Sequence, residues 1–225
     1  MIISEVINHE KLTPGQEQWM LSTQRKELAE FMKKNCSNII ETYNYENRYL
    51  YHGMRSTHSH IFMAQTREDR LPRDTPEYVQ IKLDKILASQ GFTALRSNSI
   101  FCTSDFKFVH DYGSPFMIFP INGFTYTWNT TAKDLFQRYE LRYDSSLLTT
   151  EMNKPDLDPK KFISDFNFKN NEGLLTALRK ENEVCIHGSY IGIECESNII
   201  QIMLPILGLN HPNLEDYYGH YERKR

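Results

Sequence analysis

Long apolar runs are missing from this sequence. No window approaches the roughly 18 consecutive apolar residues of a membrane span, and the opening M-I-I-S-E-V-I-N-H-E has no basic leader and no extended apolar stretch. We therefore expect no membrane partner and a cytoplasmic location. Cysteine is also sparse. Cys36, Cys102, Cys185 and Cys195 form no C-x-x-C pair and have no histidine at ligand spacing, which argues against a zinc site or a redox motif. Free thiols and no metal are the expectation. An excess of positive charge is absent as well: the formal net charge is -3, so a general grip on nucleic acid backbone is not indicated, and only a local basic patch remains open. No internal repeat and no low-complexity tract appears.

What is present is ordinary globular material. The chain has 225 residues, 40% hydrophobic and 24% charged, enough for one substantial core. We expect a single domain over residues 1–225, with 1–45 as an accessory N-terminal helical segment. Aromatic residues are plentiful, 13 Tyr, 13 Phe and 2 Trp, and much of this content lies off helical stripes. β-rich packing accounts for that first, and a stacking site for a planar ligand second.

Periodicity places the elements. Residues 16–34 set Trp19, Met20, Leu28, Phe31 and Met32 at helical spacing, with Lys33 and Lys34 suited to a C-terminal turn. R-Y-L-Y at 48–51 reads as a short strand delivering His52-Gly53 to a loop. After the charged, proline-broken stretch 67–76, D-T-P-E-Y starts a helix with Val79, Leu83, Ile86 and Leu87 on one side, closed by Gly91. S-I-F-C-T-S is a strand and D-F-K-F-V-H-D-Y a helical turn. F-M-I-F-P-I, N-G and F-T-Y-T-W together read as a hairpin. T-T-A-K-D-L-F-Q-R-Y-E-L-R follows as a capped helix, 144–172 as a long loop with a helical turn, and N-I-I-Q-I-M-L-P-I as a last buried strand. Helices and clustered strands without a βαβ rhythm predict an α+β fold with two packed antiparallel sheets forming a cleft, flanked by helices.

E-N-E-V-C-I at 181–186 poses a question of cost. On a strand, Glu181 and Glu183 would share a face and repel each other, more strongly as the face dries. Either the face is wet or a cation binds there.

Four pieces, in this order, resemble the ADP-ribosyltransferase superfamily: Y-H-G at 51–53, I-F-C-T-S at 100–104, Tyr112 eleven residues after Phe101, and E-N-E at 181–183. R-x-P-R-D-T-P, R-S-N-S-I-F-C-T-S-D and Y-G-S-P-F-M-I-F-P look like a phage-encoded or bacterial, toxin-type branch of it. The resemblance implies a mono-ADP-ribosyltransferase that takes NAD as substrate, breaks its nicotinamide to ribose bond and passes ADP-ribose to a macromolecular acceptor, a protein side chain or a nucleic acid base. It implies that Glu183 stabilises the oxocarbenium-like ribose and that Glu181 orients or deprotonates the acceptor. It implies an NAD site built from His52, Gly53, Phe101, Thr103, Ser104 and Tyr112; Arg55, Arg70 and Arg73 are candidate contacts to the pyrophosphate or acceptor, since a guanidinium suits phosphate bidentately. Cys102 stands where the family's triplet opens with Ser, and His-Gly beside Glu-x-Glu is a mixed signature, which leaves the acceptor open. The alternatives are an NAD glycohydrolase, or a non-catalytic phage or host interaction protein on a decayed cleft. A neutralising antitoxin, or a phage or host protein, is a further partner in that setting.

Overall fold

The computed structural model of the chain describes residues 14–55, 60–71, 77–130 and 157–212. Among these the elements are, in order, α1 (Pro14–Asn35), α2 (Ser37–Glu46), β1 (Tyr51–Met54), β2 (Ile61–Gln65), α3 (Glu77–Ser89), β3 (Ile100–Cys102), α4 (Phe106–His110), β4 (Ser114–Pro120), β5 (Thr125–Asn129), α5 (Pro159–Asp165), β6 (Phe168–Asn170), α6 (Leu174–Lys180), β7 (Val184–His187), β8 (Ser189–Glu194) and α7 (Asn198–Leu207). The fold is α+β with two four-stranded sheets, ordered β1-β4-β8-β2 and β3-β7-β5-β6. Every strand pair is antiparallel. An antiparallel bridge from Tyr51 to Thr103 ties β1 of the first sheet to the chain just after β3 of the second.

One apolar core unites both sheets. It takes Phe116, Met117, Ile118 and Phe119 from β4, Ile191 and Ile193 from β8, and Val184, Ile186, Cys102 and Trp128 from the second sheet. Ala29, Met32, Cys36, Ile39, Ile40 and Tyr43 are buried in the same cluster, and the Tyr43 hydroxyl donates to the Ile118 carbonyl. From Leu28 to Tyr43 the helical segment is thus packed into the core and not accessory to it; the Trp19 and Met20 side chains lie outside the described residues.

Strand alternation decides what the second sheet shows on its other face. With Val184 and Ile186 turned into the core, Glu183, Cys185 and His187 turn away from it, and register sets Phe101 and Thr127 beside Cys185. A second cluster from α3, α5 and β6 (Val79, Leu83, Ile86, Leu87, Phe92, Phe162, Phe168) forms apart from the main core. The α3 stripe expected from sequence is therefore buried in this second cluster, and Gly91 follows the helix with φ +79.

Several expectations are corrected. β1 begins at Tyr51, so His52 and Gly53 lie within the strand and not on a loop after it. The N-G turn at 122–123 joins no hairpin: β4 belongs to the first sheet and β5 to the second. The turn is a corner between sheets, and a second corner, Gly188 with φ +133, lies against Phe124. Ile121 N–H donates to the Ser189 carbonyl at 2.8 Å, stitching the two corners together. The apolar run at 198–206 is helix and not strand, because its buried positions Ile200, Met203, Leu204 and Leu207 recur at helical spacing. Pro205 cannot donate to the Gln201 carbonyl one turn back, and the His211 ring takes that acceptor at 3.2 Å. Within the predicted loop, α5 is started by Asp158, whose carboxylate accepts from Lys160 N–H at 2.9 Å, and β6 pairs with β5. The helix predicted over 130–142 lies, from residue 131 on, outside the described residues. No helix among the described residues is long and apolar enough to cross a membrane.

Candidate functional site

The face of the second sheet that turns from the core carries a chain of polar contacts. His52 on β1 donates from Nδ1 to the Phe101 carbonyl at 2.7 Å, which leaves Nε2 as the acceptor of a neutral ring. Burial pushes this imidazole below its ordinary value; the Phe101 carbonyl opposes that and the Arg70 charge reinforces it. The Phe101 ring in turn meets two guanidiniums, Arg70 Cζ at 3.7 Å and Arg96 Cζ at 4.3 Å from its centroid. Arg96 Nη1 donates to Glu183 Oε1 at 2.7 Å, and the pair is nearly dry, 8% and 11% exposed.

Helix α3 grips both arginine segments. Its apolar stripe carries two buried polar residues one turn apart, Gln80 and Asp84. Gln80 Nε2 donates to the Arg70 carbonyl at 2.8 Å. Asp84 accepts the backbone N–H of Arg96 at 2.9 Å and of Ser97 at 3.0 Å, one on each carboxylate oxygen. Arg70 N–H then donates to the Ser97 carbonyl at 2.7 Å, so the two segments are locked side by side. Burial lowers the Arg70 guanidinium from its ordinary value without removing its charge. Its hydrogen bond among the described residues is to the Ser99 carbonyl at 3.3 Å.

The two glutamates do not share a strand face. β7 begins at Val184, and Glu181 is the left-handed residue that ends α6, with φ +57. Glu181 N–H bonds the Leu178 carbonyl and Asn182 N–H the Ala177 carbonyl, both at 3.1 Å, the paired closure of a helix end that ordinarily uses glycine. Asn182 buries its side chain and donates to the Asn129 carbonyl at 2.8 Å. Each glutamate has its own arginine: Glu181 pairs with Arg48 at 3.4 Å in a half-wet contact, 31% and 42% exposed. The cation that the E-N-E stretch called for is supplied by the chain itself.

Thr103 and Ser104 are buried and fasten β3 to α6. Thr103 Oγ1 donates to the Glu181 carbonyl at 3.0 Å, and Ser104 Oγ donates to the Leu178 carbonyl. Gly53 lies under the end of α4: a Cβ there would come 2.6 Å from the Val109 carbonyl oxygen and 2.8 Å from Tyr112 Cβ. Tyr112 is 40% exposed, its ring 5.1 Å from that of Phe108. Burial drives the thiols of Cys102 and Cys185 well above their ordinary value, so neither is a thiolate nucleophile. Arg55 is exposed at the end of β1, and Arg73 lies outside the described residues.

Of the residues expected from sequence, His52 and Arg70 each contact Phe101 directly, and Glu183 joins them through Arg96. The fold sets Gly53 and Tyr112 against each other, and joins Thr103 to Glu181. Sequence reasoning missed Arg96, Asp84 and Gln80. Two polar residues spaced i, i+4 along the apolar side of α3 were the available signal for the last two. Compared with family models, with curated proteins and with solved structures, the chain matches none.

Proposed function

We propose that this face is the NAD cleft of a mono-ADP-ribosyltransferase. The observation that carries the reading is that His52, Phe101 and, through Arg96, Glu183 are brought together from segments far apart in sequence, with the Arg70 guanidinium over the same Phe101 ring. In this reading Arg70 meets the anionic diphosphate and the neutral His52 accepts a hydrogen bond from a ribose hydroxyl. The C1′ to nicotinamide nitrogen bond breaks, nicotinamide leaves with the electron pair, and the cationic ribose is stabilised by the Glu183 carboxylate. An acceptor X–H attacks C1′ and gives its proton to a base on its own side, for which Glu181 is the nearest carboxylate in the motif. Because the Glu181 carboxylate is engaged by Arg48, transfer to water in an NAD glycohydrolase is the second reading. The acceptor is a protein side chain or a nucleic acid base.

The test is incubation of purified protein with NAD labelled on its adenylate half, alone and with cell lysate, following nicotinamide release and the fate of the label. Label on protein, RNA or DNA supports transfer and names the acceptor class, and free ADP-ribose supports the glycohydrolase. Absence of nicotinamide release, with no binding of NAD at millimolar concentration by calorimetry, overturns both.

A further inference from the structure

The proposed reaction asks Glu183 to be charged and fixed in a place from which water is largely excluded. A carboxylate that dry has a strong tendency to take up a proton or swing toward solvent unless a cation holds it. Arg96 meets that need: its Nη1 lies 2.7 Å from Glu183 Oε1, and both side chains are about nine-tenths buried. Arg96 is itself constrained at three points. Asp84 holds its backbone N–H and that of Ser97, Phe101 flanks its guanidinium, and the 95–98 turn is closed by Leu95 N–H donating to Asn98 Oδ1 at 2.7 Å. A loop residue pinned in this way transmits position from a helix to a carboxylate.

Resting on the reading above, we propose that Arg96 is a positioning residue, set by Asp84 on α3, that keeps the Glu183 carboxylate charged and aimed at the reacting ribose. Arg96 acts through Glu183. Its removal should therefore lower the rate of bond cleavage and leave NAD binding nearly untouched, whereas a residue that gripped the diphosphate would do the reverse.

The experiment measures nicotinamide release as kcat and KM across pH for wild type, Glu183→Gln, Arg96→Met, Arg96→Lys and Asp84→Asn. Arg96→Met should lower kcat about 100-fold, the scale of a catalytic group displaced by an ångström, with KM for NAD changed less than about threefold. The acid limb of its kcat profile should move to higher pH, because the buried carboxylate has lost its hydrogen-bonded cation and keeps only the more distant Arg70 charge. Arg96→Lys should restore part of the rate, since charge returns without the planar fork. Asp84→Asn, which keeps both members of the ion pair but removes the anion that anchors the loop, should lower kcat about tenfold without moving the acid limb to higher pH. It also guards against failure of Arg96→Met to fold.

A raised KM with kcat unchanged in Arg96→Met, or an unchanged kcat in Asp84→Asn, overturns the positioning role while the proposed function stands. Wild type that releases no nicotinamide, or Glu183→Gln as active as wild type, overturns the proposed role of Glu183 and this one with it.

Discussion

Replacing Glu183 by Gln should destabilise the fold, and replacing Glu181 by Gln should hardly do so. The sign distinguishes two accounts of the E-N-E stretch. If two carboxylates repelled each other on one strand face, neutralising either would relieve strain and stabilise the protein. In the structure each carboxylate answers a different arginine, and the two environments differ. The Arg96–Glu183 pair is 8% and 11% exposed at 2.7 Å. Breaking a buried pair from one side leaves an uncompensated charge and costs about 3–5 kcal/mol. Gln retains an oxygen that can accept from Arg96 Nη1, which puts the expected loss near the lower end, about 3 kcal/mol, against a total stability on the order of 5–15 kcal/mol. The Arg48–Glu181 pair, at 3.4 Å and 42% and 31% exposed, is screened by water. Its loss should cost less than about 1 kcal/mol.

Urea unfolding followed by circular dichroism at neutral pH, with slopes checked for equality, measures both. The double variant Arg96→Met with Glu183→Gln removes both charges and should recover most of the loss, giving a coupling energy of about 2 kcal/mol or more between the two sites. Equal costs for the two single glutamine variants, or a gain on Glu183→Gln, would refute the assignment of Arg96 as the counter-charge. The prediction also bears on any activity assay. A dead Glu183→Gln variant is informative about chemistry only once its folded fraction has been measured.

His52 should make stability pH-dependent on the acid side. Burial holds its folded value below the ordinary 6.5, so on acidification the unfolded chain takes up a proton that the folded protein refuses, and stability present above 6.5 drains away as pH falls toward the folded value. His52→Asn, whose amide can still donate to the Phe101 carbonyl, should flatten the urea midpoint against pH below 6.5, and parallel slopes for the two proteins would rule the effect out. Gly53→Ala should cost about 1–3 kcal/mol through overpacking, because the new methyl would sit 2.6 Å from the Val109 carbonyl oxygen and 2.8 Å from Tyr112 Cβ. The midpoint of a thermal melt should fall by about 2–4 °C for each kcal/mol lost, and an unchanged midpoint would mean that β1 and α4 can part at no cost.

Local patterns in the chain announced local structure and the fold class, two antiparallel sheets with helices, but not which strands pair. The stripe Val79, Leu83, Ile86, Leu87 announced α3 because helical burial repeats within a few residues. Asn122-Gly123 announced a turn, but a turn does not say whether its two flanks will pair, and here they enter different sheets. The apolar run at 198–206 is too short and too uniformly apolar for strand and helix to be told apart by composition; only its contact spacing separates them. The site shows the same division. His52, Phe101, Thr103 and Glu183 could be picked out because they stand in recognisable short strings. Arg96 could not, since what singles it out is an ion pair to a residue 87 positions away. Asp84 and Gln80 were half visible, as polar residues on an apolar helical face, where burial without a partner would be costly.

Glu181 remains the residue that folding alone explains least. Four non-glycine residues among those described have positive φ: Asn47, Asn167, Asn171 and Glu181. Asparagine enters that region at small cost, whereas a longer side chain pays roughly 1 kcal/mol for it. Glycine would close α6 with the same two backbone hydrogen bonds and no such strain. One return that glutamate gives is a half-wet contact to Arg48, worth less than about 1 kcal/mol. Its position is held firmly. Thr103 Oγ1 donates to its carbonyl, and Arg179 at the end of the same helix donates from Nε to Glu46 Oε2 at 2.7 Å, clamping α6 to the end of α2. A charged residue held by a fixed frame in a left-handed conformation is a reason to look for chemistry at that charge. In the proposed reaction that chemistry is on the acceptor side. Glu183, dry and bound to Arg96, is fitted to face the ribose, while Glu181, wetter and on a contact that is inexpensive to exchange, is fitted to meet a group arriving from solution.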